Sequence, residues 1–284
     1  MGKEWLKMPL QQTASHGAKP GSERPDLTPW PSKEPSKEQW ERELAFAGRV
    51  QTALLEASSV AAWSDSVQGL SVPHFIVGGD YFDVFSLPDG RLRMLVADVM
   101  GKGFGAAMLM TMFRGIVRAA SLHCTSPGAL LKQANDLLYE DLQEMGSFIT
   151  ASCADYEPGV GAVTVASAGH PYPLFLHQGA AEADWLKVRG IGLGMLPDRA
   201  YQEHQIEPSA GDLMVLYTDG IIEARDSQNR ELGAAGLQRL VIANREAPVP
   251  ELLQSVLSGV AVHTAGVGPR DDVTLVAFRF RGVG

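Results

Sequence analysis

Six aspartates, Asp80, Asp83, Asp98, Asp219, Asp271 and Asp272, stand at the ends of apolar, strand-like runs in the segments GGDYFDV, ADVMGKG, YTDG and RDDVT. A carboxylate at the mouth of a strand packs poorly, but its oxygens suit a hard divalent cation. One aspartate before a glycine is most often a turn or a cap. Here Asp98, followed by Val99, Met100, Gly101, Lys102 and Gly103, and Asp219, followed by Gly220, repeat one device. The pairs Asp80 with Asp83 and Asp271 with Asp272 add to it. Carboxylates that converge raise one another's pKa and destabilise the fold unless a cation compensates them. The pattern points to a metal centre.

The elements that must position these acids are legible as apolar runs. LSVPHFIVG, YFDVFSL and RLRMLVAD read as strands, the last two joined by a turn at Pro88, Asp89 and Gly90. A helix is expected from Gly105 to about Leu122, and a second from Ser126 and Pro127, a cap followed by proline at the first helical position. FITASCADY, AVTVASAG, PLFLHQ, LMVLYTD and VTLVAFRF complete the strands, with two helices near 234–262. Hairpins followed by helices, rather than βαβ alternation, predict an α/β fold: a layered α-β-β-α sandwich of two mainly antiparallel sheets flanked by helices.

Upstream, residues 1–37 are polar and proline-rich and are expected to be a disordered tail. Residues 38–66 read as a helical linker, with Ser36 as N-cap and Trp40, Leu44, Val50, Ala53 and Leu54 at roughly helical spacing. Residues 67–281 are then the main domain. No folded sensor domain is expected ahead of the linker, so input is expected from another protein, from the short tail, or from nothing at all.

Composition narrows the function classes. The chain of 284 residues is 45% hydrophobic and 20% charged, enough for a substantial core, and its formal net charge of −9 argues against a nucleic-acid binder. Its two cysteines, Cys124 and Cys153, sit in apolar settings and read as buried small residues rather than a disulfide or thiolate site. No apolar stretch is long enough to span a membrane, and MGKEWLKMPLQQ lacks a signal-peptide core, so the expected address is the cytoplasm. His170, between Gly169 and Pro171, could be a general acid, but a histidine so placed more often orders a turn. Lys102 could touch a phosphate, although a solvated loop lysine is the simpler reading. Met108, Met110 and Met112 read as packing residues.

The order and wording of the segments resemble the metal-dependent PPM, or protein phosphatase 2C-like, phosphatases in their SpoIIE/RsbU branch. The resemblance is carried by Gly78 to Asp83, Ala97 to Gly103, Asn135, Leu137 and Leu138, Phe148 to Thr150, and Ala168 to Pro171 with Pro173. It continues through Tyr217 to Gly220, Glu223 and Ala224, and Asp271 to Thr274. It implies a serine/threonine protein phosphatase with two Mn2+ or Mg2+ ions. By that resemblance Asp98 bridges both ions, Asp219 and Asp271 complete one site, and Asp80 with the Val99 carbonyl serves the other. Asp83 and Asp272 are left open between direct ligation and orienting the ligands from behind.

Two departures stand out: the run Val72 to Val77 lacks the arginine or glutamate that relatives often carry there, and Met100 stands where serine is common. All the carboxylates expected as ligands are present. The resemblance implies a phosphorylated anti-sigma-factor antagonist as substrate, in a partner-switching pathway controlling stress or developmental transcription. A two-metal phosphohydrolase of small phosphate esters and a non-catalytic scaffold of the same fold are the alternatives. A homodimer through the helix at 38–57, burying Trp40, Leu44 and Leu54, is also expected.

Overall fold

The computed structural model describes residues 35–56, 63, 65–266 and 270–281. Most of the expected tail lies outside them, as does part of the expected linker. The elements run α1 (Lys37–Glu56), β1 (Val67–Val72), β2 (Tyr81–Ser86), β3 (Leu92–Val99), α2 (Phe104–Ala120), α3 (Pro127–Met145), β4 (Ile149–Glu157) and β5 (Ala162–Ala168). There follow β6 (Leu174–Leu176), β7 (Asp184–Trp185), β8 (Glu203–Ile206), β9 (Leu213–Tyr217), α4 (Asp219–Ile222), α5 (Gly233–Ala243), α6 (Val249–His263) and β10 (Val273–Arg279).

Two five-stranded sheets form, in the orders β1-β10-β9-β6-β7 and β2-β3-β4-β5-β8, and every pairing is antiparallel. Successive side chains of a strand point to opposite faces, and β3 shows what each face does. Leu92, Met94 and Val96 turn to the space between the sheets, where Phe82, Val165, Met214, Val276 and Phe278 meet them. Leu95, Ala97 and Val99 turn outward, under Met110 and Phe113 of α2 and Leu130 and Leu138 of α3. On the other sheet, Val273, Leu275 and Ala277 of β10 carry Leu237 and Val241 of α5 and Leu252 and Val256 of α6. Strands covered on both faces read as nearly continuous apolar runs, and the α-β-β-α sandwich is the result.

The helix starts follow their caps. The Ser36 hydroxyl accepts from the Gln39 N–H at 3.2 Å while the Gln39 amide oxygen accepts from the Ser36 N–H at 2.7 Å, a reciprocal capping box. Ser126 caps α3, accepting from the Ala129 N–H, with Pro127 at its first turn.

The structure departs from the strand expected across LSVPHFIVG. β1 stops at Val72, and residues 73–80 form a loop. Pro73 has no N–H to give a ladder, and the His74 N–H is taken by the Asp272 carboxylate at 2.7 Å. β7, of two residues, and β8, of four, were not among the expected strands; both are too short for an alternating pattern to show.

Candidate metal centre at the mouth of the two sheets

The acids arrive from both sheets. Asp80 closes the 73–80 loop just before β2, and Asp98 is the penultimate residue of β3. Asp219 opens α4, one residue beyond the end of β9 at Tyr217, and Asp271 and Asp272 immediately precede β10. Because β9 and β10 are neighbours and β2 pairs with β3, the strand ends present these side chains at one mouth of the sandwich.

The backbone makes room for the approach. A side chain at Gly79 would put its Cβ 2.9 Å from the Val99 carbonyl oxygen, so the two metal-candidate loops touch only because this residue is glycine. Past Asp98, Gly101 and Gly103 adopt φ of 105° and 74°, in the region that L side chains avoid, and bend the chain into α2.

Electrostatics mark the cluster more sharply than distance. Asp98 is pushed up to about 8, first by burial and then by the charges of Asp219, Asp271 and Asp272. Asp80, buried, is raised well above the usual carboxylate range by desolvation and by Asp98, although Thr218 donates to its Oδ2 at 2.7 Å and opposes the shift. Asp219 is raised by burial and by Asp271. Glu223, one turn after Asp219, is raised by burial and by Asp219, Glu231 and Asp271. Four separate segments of chain thus bring mutually repelling acids together.

The donor set, several carboxylates and the Val99 carbonyl, is that of a hard divalent cation. Among the described residues, no three His, Cys, Asp or Glu side chains close into a ready-made metal cage. The acids face one another across the mouth, and the one lysine among them, Lys102, ion-pairs with Asp271 at 2.6 Å and donates to the Arg270 carbonyl. Lys102 is therefore neither free in solvent nor poised alone for a phosphate. The donor chemistry suits a divalent cation, and Lys102 offsets only part of the negative charge.

Asp272 and Asp83, left open by sequence, have different surroundings. Asp272 accepts from the backbone N–H groups of Gly79 and His74, each at 2.7 Å, and so holds the loop that ends in Asp80. Asp83 shares the helix-facing side of β2 with Tyr81, whose hydroxyl donates to it at 2.6 Å, and Arg118 of α2 grips it with two nitrogens at 2.5 Å. The structure does not bring Asp83 into the cluster.

His170 is buried, its Nδ1 2.8 Å from the Thr150 hydroxyl and its backbone N–H on Ser167. Burial pushes its pKa down to about 3, so the ring is neutral near pH 7 and holds the turn rather than a transferable proton. Sequence reading named Thr218 and Glu223 only among the residues that carry the resemblance, with no role, and did not single out Gln51. The spacing of Asp219 and Glu223, four apart, was the available signal for one of them; a threonine or glutamine alone carries none.

The family described as Stage II sporulation protein E (SpoIIE) matches residues 88–281. The phosphoserine phosphatase RsbU of Bacillus subtilis is 27% identical over 237 residues, covering 84% of this chain and 70% of that protein. Among solved structures, the SiaA-PP2C domain of Pseudomonas aeruginosa superposes with a TM-score of 0.77 at 21% identity, covering 86% of this chain and 98% of that one. The RsbU and RsbW domains of Rv1364c from Mycobacterium tuberculosis give 0.63 at 25% identity, covering 77% and 61%. With two antiparallel sheets between helices and acids gathered at their mouth, the chain belongs to the SpoIIE family, as a PPM-type protein serine/threonine phosphatase.

Proposed function

We propose that the chain dephosphorylates a phosphoserine or phosphothreonine of an anti-sigma-factor antagonist, in a partner-switching pathway, with two Mn2+ or Mg2+ ions. Asp80, Asp98, Asp219, Asp271 and the Val99 carbonyl would hold the ions. The observation that carries the reading is the set of buried and half-buried, mutually repelling acids, of which Lys102 pairs only with Asp271, with Asp98 raised to about 8. When bound, such a pair of ions supplies a lowered pKa for water and Lewis-acid stabilisation of the phosphoryl oxygens.

The chain's own residues do the placing. Asp272 fixes the loop behind Asp80 through the Gly79 and His74 N–H groups, and Thr218 orients the Asp80 carboxylate. Lys102 pairs with Asp271 and offsets part of its charge. The similarity to RsbU, named a phosphoserine phosphatase, supports the substrate class, and we assign the work to the cytoplasm with that substrate.

The test incubates the purified chain and Mn2+ with a phosphorylated antagonist and, separately, with a small phosphate ester, each with and without excess EDTA. Metal-dependent release of phosphate from the phosphoprotein is expected. Release from the ester alone would favour a small-molecule phosphohydrolase; release from neither would favour a scaffold; turnover in EDTA would remove the metal.

A weak homodimer through α1 belongs to the same reading. Trp40, Phe46 and Val50 are exposed along α1, whereas Leu44 and Leu54 are half-buried, so a second copy would cover the former set. Sedimentation should show self-association at high concentration that Trp40→Glu with Phe46→Glu abolishes; a wild-type chain that stays monomeric throughout would leave the face unpaired.

A further inference from the structure

Helix α1 is held to the domain in an unusual way. A cavity of about 450 Å3 lies beside it, lined by Gln51 and Leu55 of α1, Val67, Phe82 and Asp272, so packing alone does not fix the helix. Its one buried residue is polar: Gln51, 7% exposed. The Gln51 side-chain amide donates through Nε2 to the Gly78 carbonyl at 2.7 Å, and its Oε1 accepts from the Gly78 N–H at 2.9 Å. One side chain thus satisfies both backbone groups of Gly78, as a neighbouring strand would. One turn earlier, a Cβ on Gly48 would lie 3.0 Å from the Ile76 carbonyl, so the helix rests directly on the 73–80 loop.

Gly78 is two residues before Asp80, and the residue between them, Gly79, gives its N–H to Asp272. The backbone ahead of Asp80 is therefore gripped from two sides, by Asp272 from the start of β10 and by Gln51 from α1. We infer that Gln51 is a positioning residue for the metal centre: it sets the backbone that aims Asp80, and thereby the affinity of the site for its ion. This rests on the metal reading above. Without the Gln51 amide, the Gly78 N–H and carbonyl are left buried and unpaired, a state the chain escapes by moving the loop. A residue that merely tethered α1 would change stability without changing ion affinity.

The experiment measures Mn2+ binding by titration calorimetry without substrate, and phosphatase activity against Mn2+ concentration, for the whole chain and for Gln51→Met, which keeps the length but neither hydrogen bond. The expected result is a Mn2+ dissociation constant raised about tenfold, equivalent to about 1.4 kcal/mol, with a larger change in the Mn2+ requirement than in kcat at saturating Mn2+. Gln51→Glu keeps only the acceptor for the Gly78 N–H and adds a negative charge that by itself would tighten cation binding. Weaker binding in that variant can only come from lost geometry, and it supplies the test if Gln51→Met does not fold. Wild-type Mn2+ affinity in the folded variants would overturn the inference while leaving the metal centre in place. A wild-type chain that takes up no Mn2+ would overturn both.

Discussion

The sheet of β2, β3 and β4 holds acids of two kinds. Toward the helix-covered face, every one has an arginine: Asp83 is held by Arg118, and Asp155 receives Arg93 through Nε at 2.7 Å and Nη2 at 2.6 Å, with Arg91 beside it. At the mouth of the same sheet, Asp80 and Asp98 have no arginine and instead face Asp219, Asp271 and Asp272. Buried charge is ordinarily compensated because an unpaired ion inside a protein is costly. Acids only partly compensated, here by Lys102 alone, beside fully paired ones mark where the fold gives up stability for function.

The largest test of that contrast is Asp98→Asn. At the mouth it should cut Mn2+-dependent phosphate release by orders of magnitude, and in EDTA the variant should melt no lower than wild type, because one repelling charge is gone. Asp219→Asn should behave alike. Asp89→Asn, in the exposed β2–β3 turn where Arg91 is its partner, is the control and should keep full activity. Near-normal turnover by the Asp98 variant at saturating Mn2+ would mean that the site lies elsewhere.

In the paired region the expectation inverts. Arg93 is fully buried and also donates to the Ser121 hydroxyl, so Arg93→Met strands Asp155 without its main partner. Denaturant unfolding should show a loss of about 3 to 5 kcal/mol, while the specific activity of the folded fraction in Mn2+ stays close to wild type. A variant as stable as wild type, or one stable but inactive, would erase the distinction between the two regions.

The sandwich was legible because covered strands announce themselves as apolar runs and because Ser36 and Ser126 carry cap chemistry at the residue where their helices begin. The acid cluster was legible because aspartate followed by glycine recurs at strand ends. Pairwise geometry was not. Asp80 and Asp83 look equivalent in GGDYFDV, and only the two-residue period of β2, together with an arginine 35 positions away, turns Asp83 from the mouth to α2. Likewise nothing local in VQTALLE distinguishes Gln51 from a solvated glutamine. Its role depends on a carbonyl and an N–H 27 residues away.

The smallest effect separates the two regions by pH in the absence of metal. Asp98 has a folded pKa of about 8 in place of 3.8, and Asp80 and Asp219 are raised too. A carboxyl whose folded pKa is raised holds a proton in the native state that the unfolded chain has already released. Its contribution is therefore fully present below about pH 4 and is lost as pH climbs toward 8. In EDTA the wild-type melting temperature should fall across that interval; saturating Mn2+ should remove most of the decline, because a bound cation replaces the protons. Asp98→Asn should flatten the EDTA profile, whereas Arg93→Met should lower it at every pH and leave the slope. The same slope with and without Asp98 would mean that the acids at the mouth are too well hydrated to repel one another, and that the contrast with Asp83 and Asp155 is one of neighbours only, not of energy.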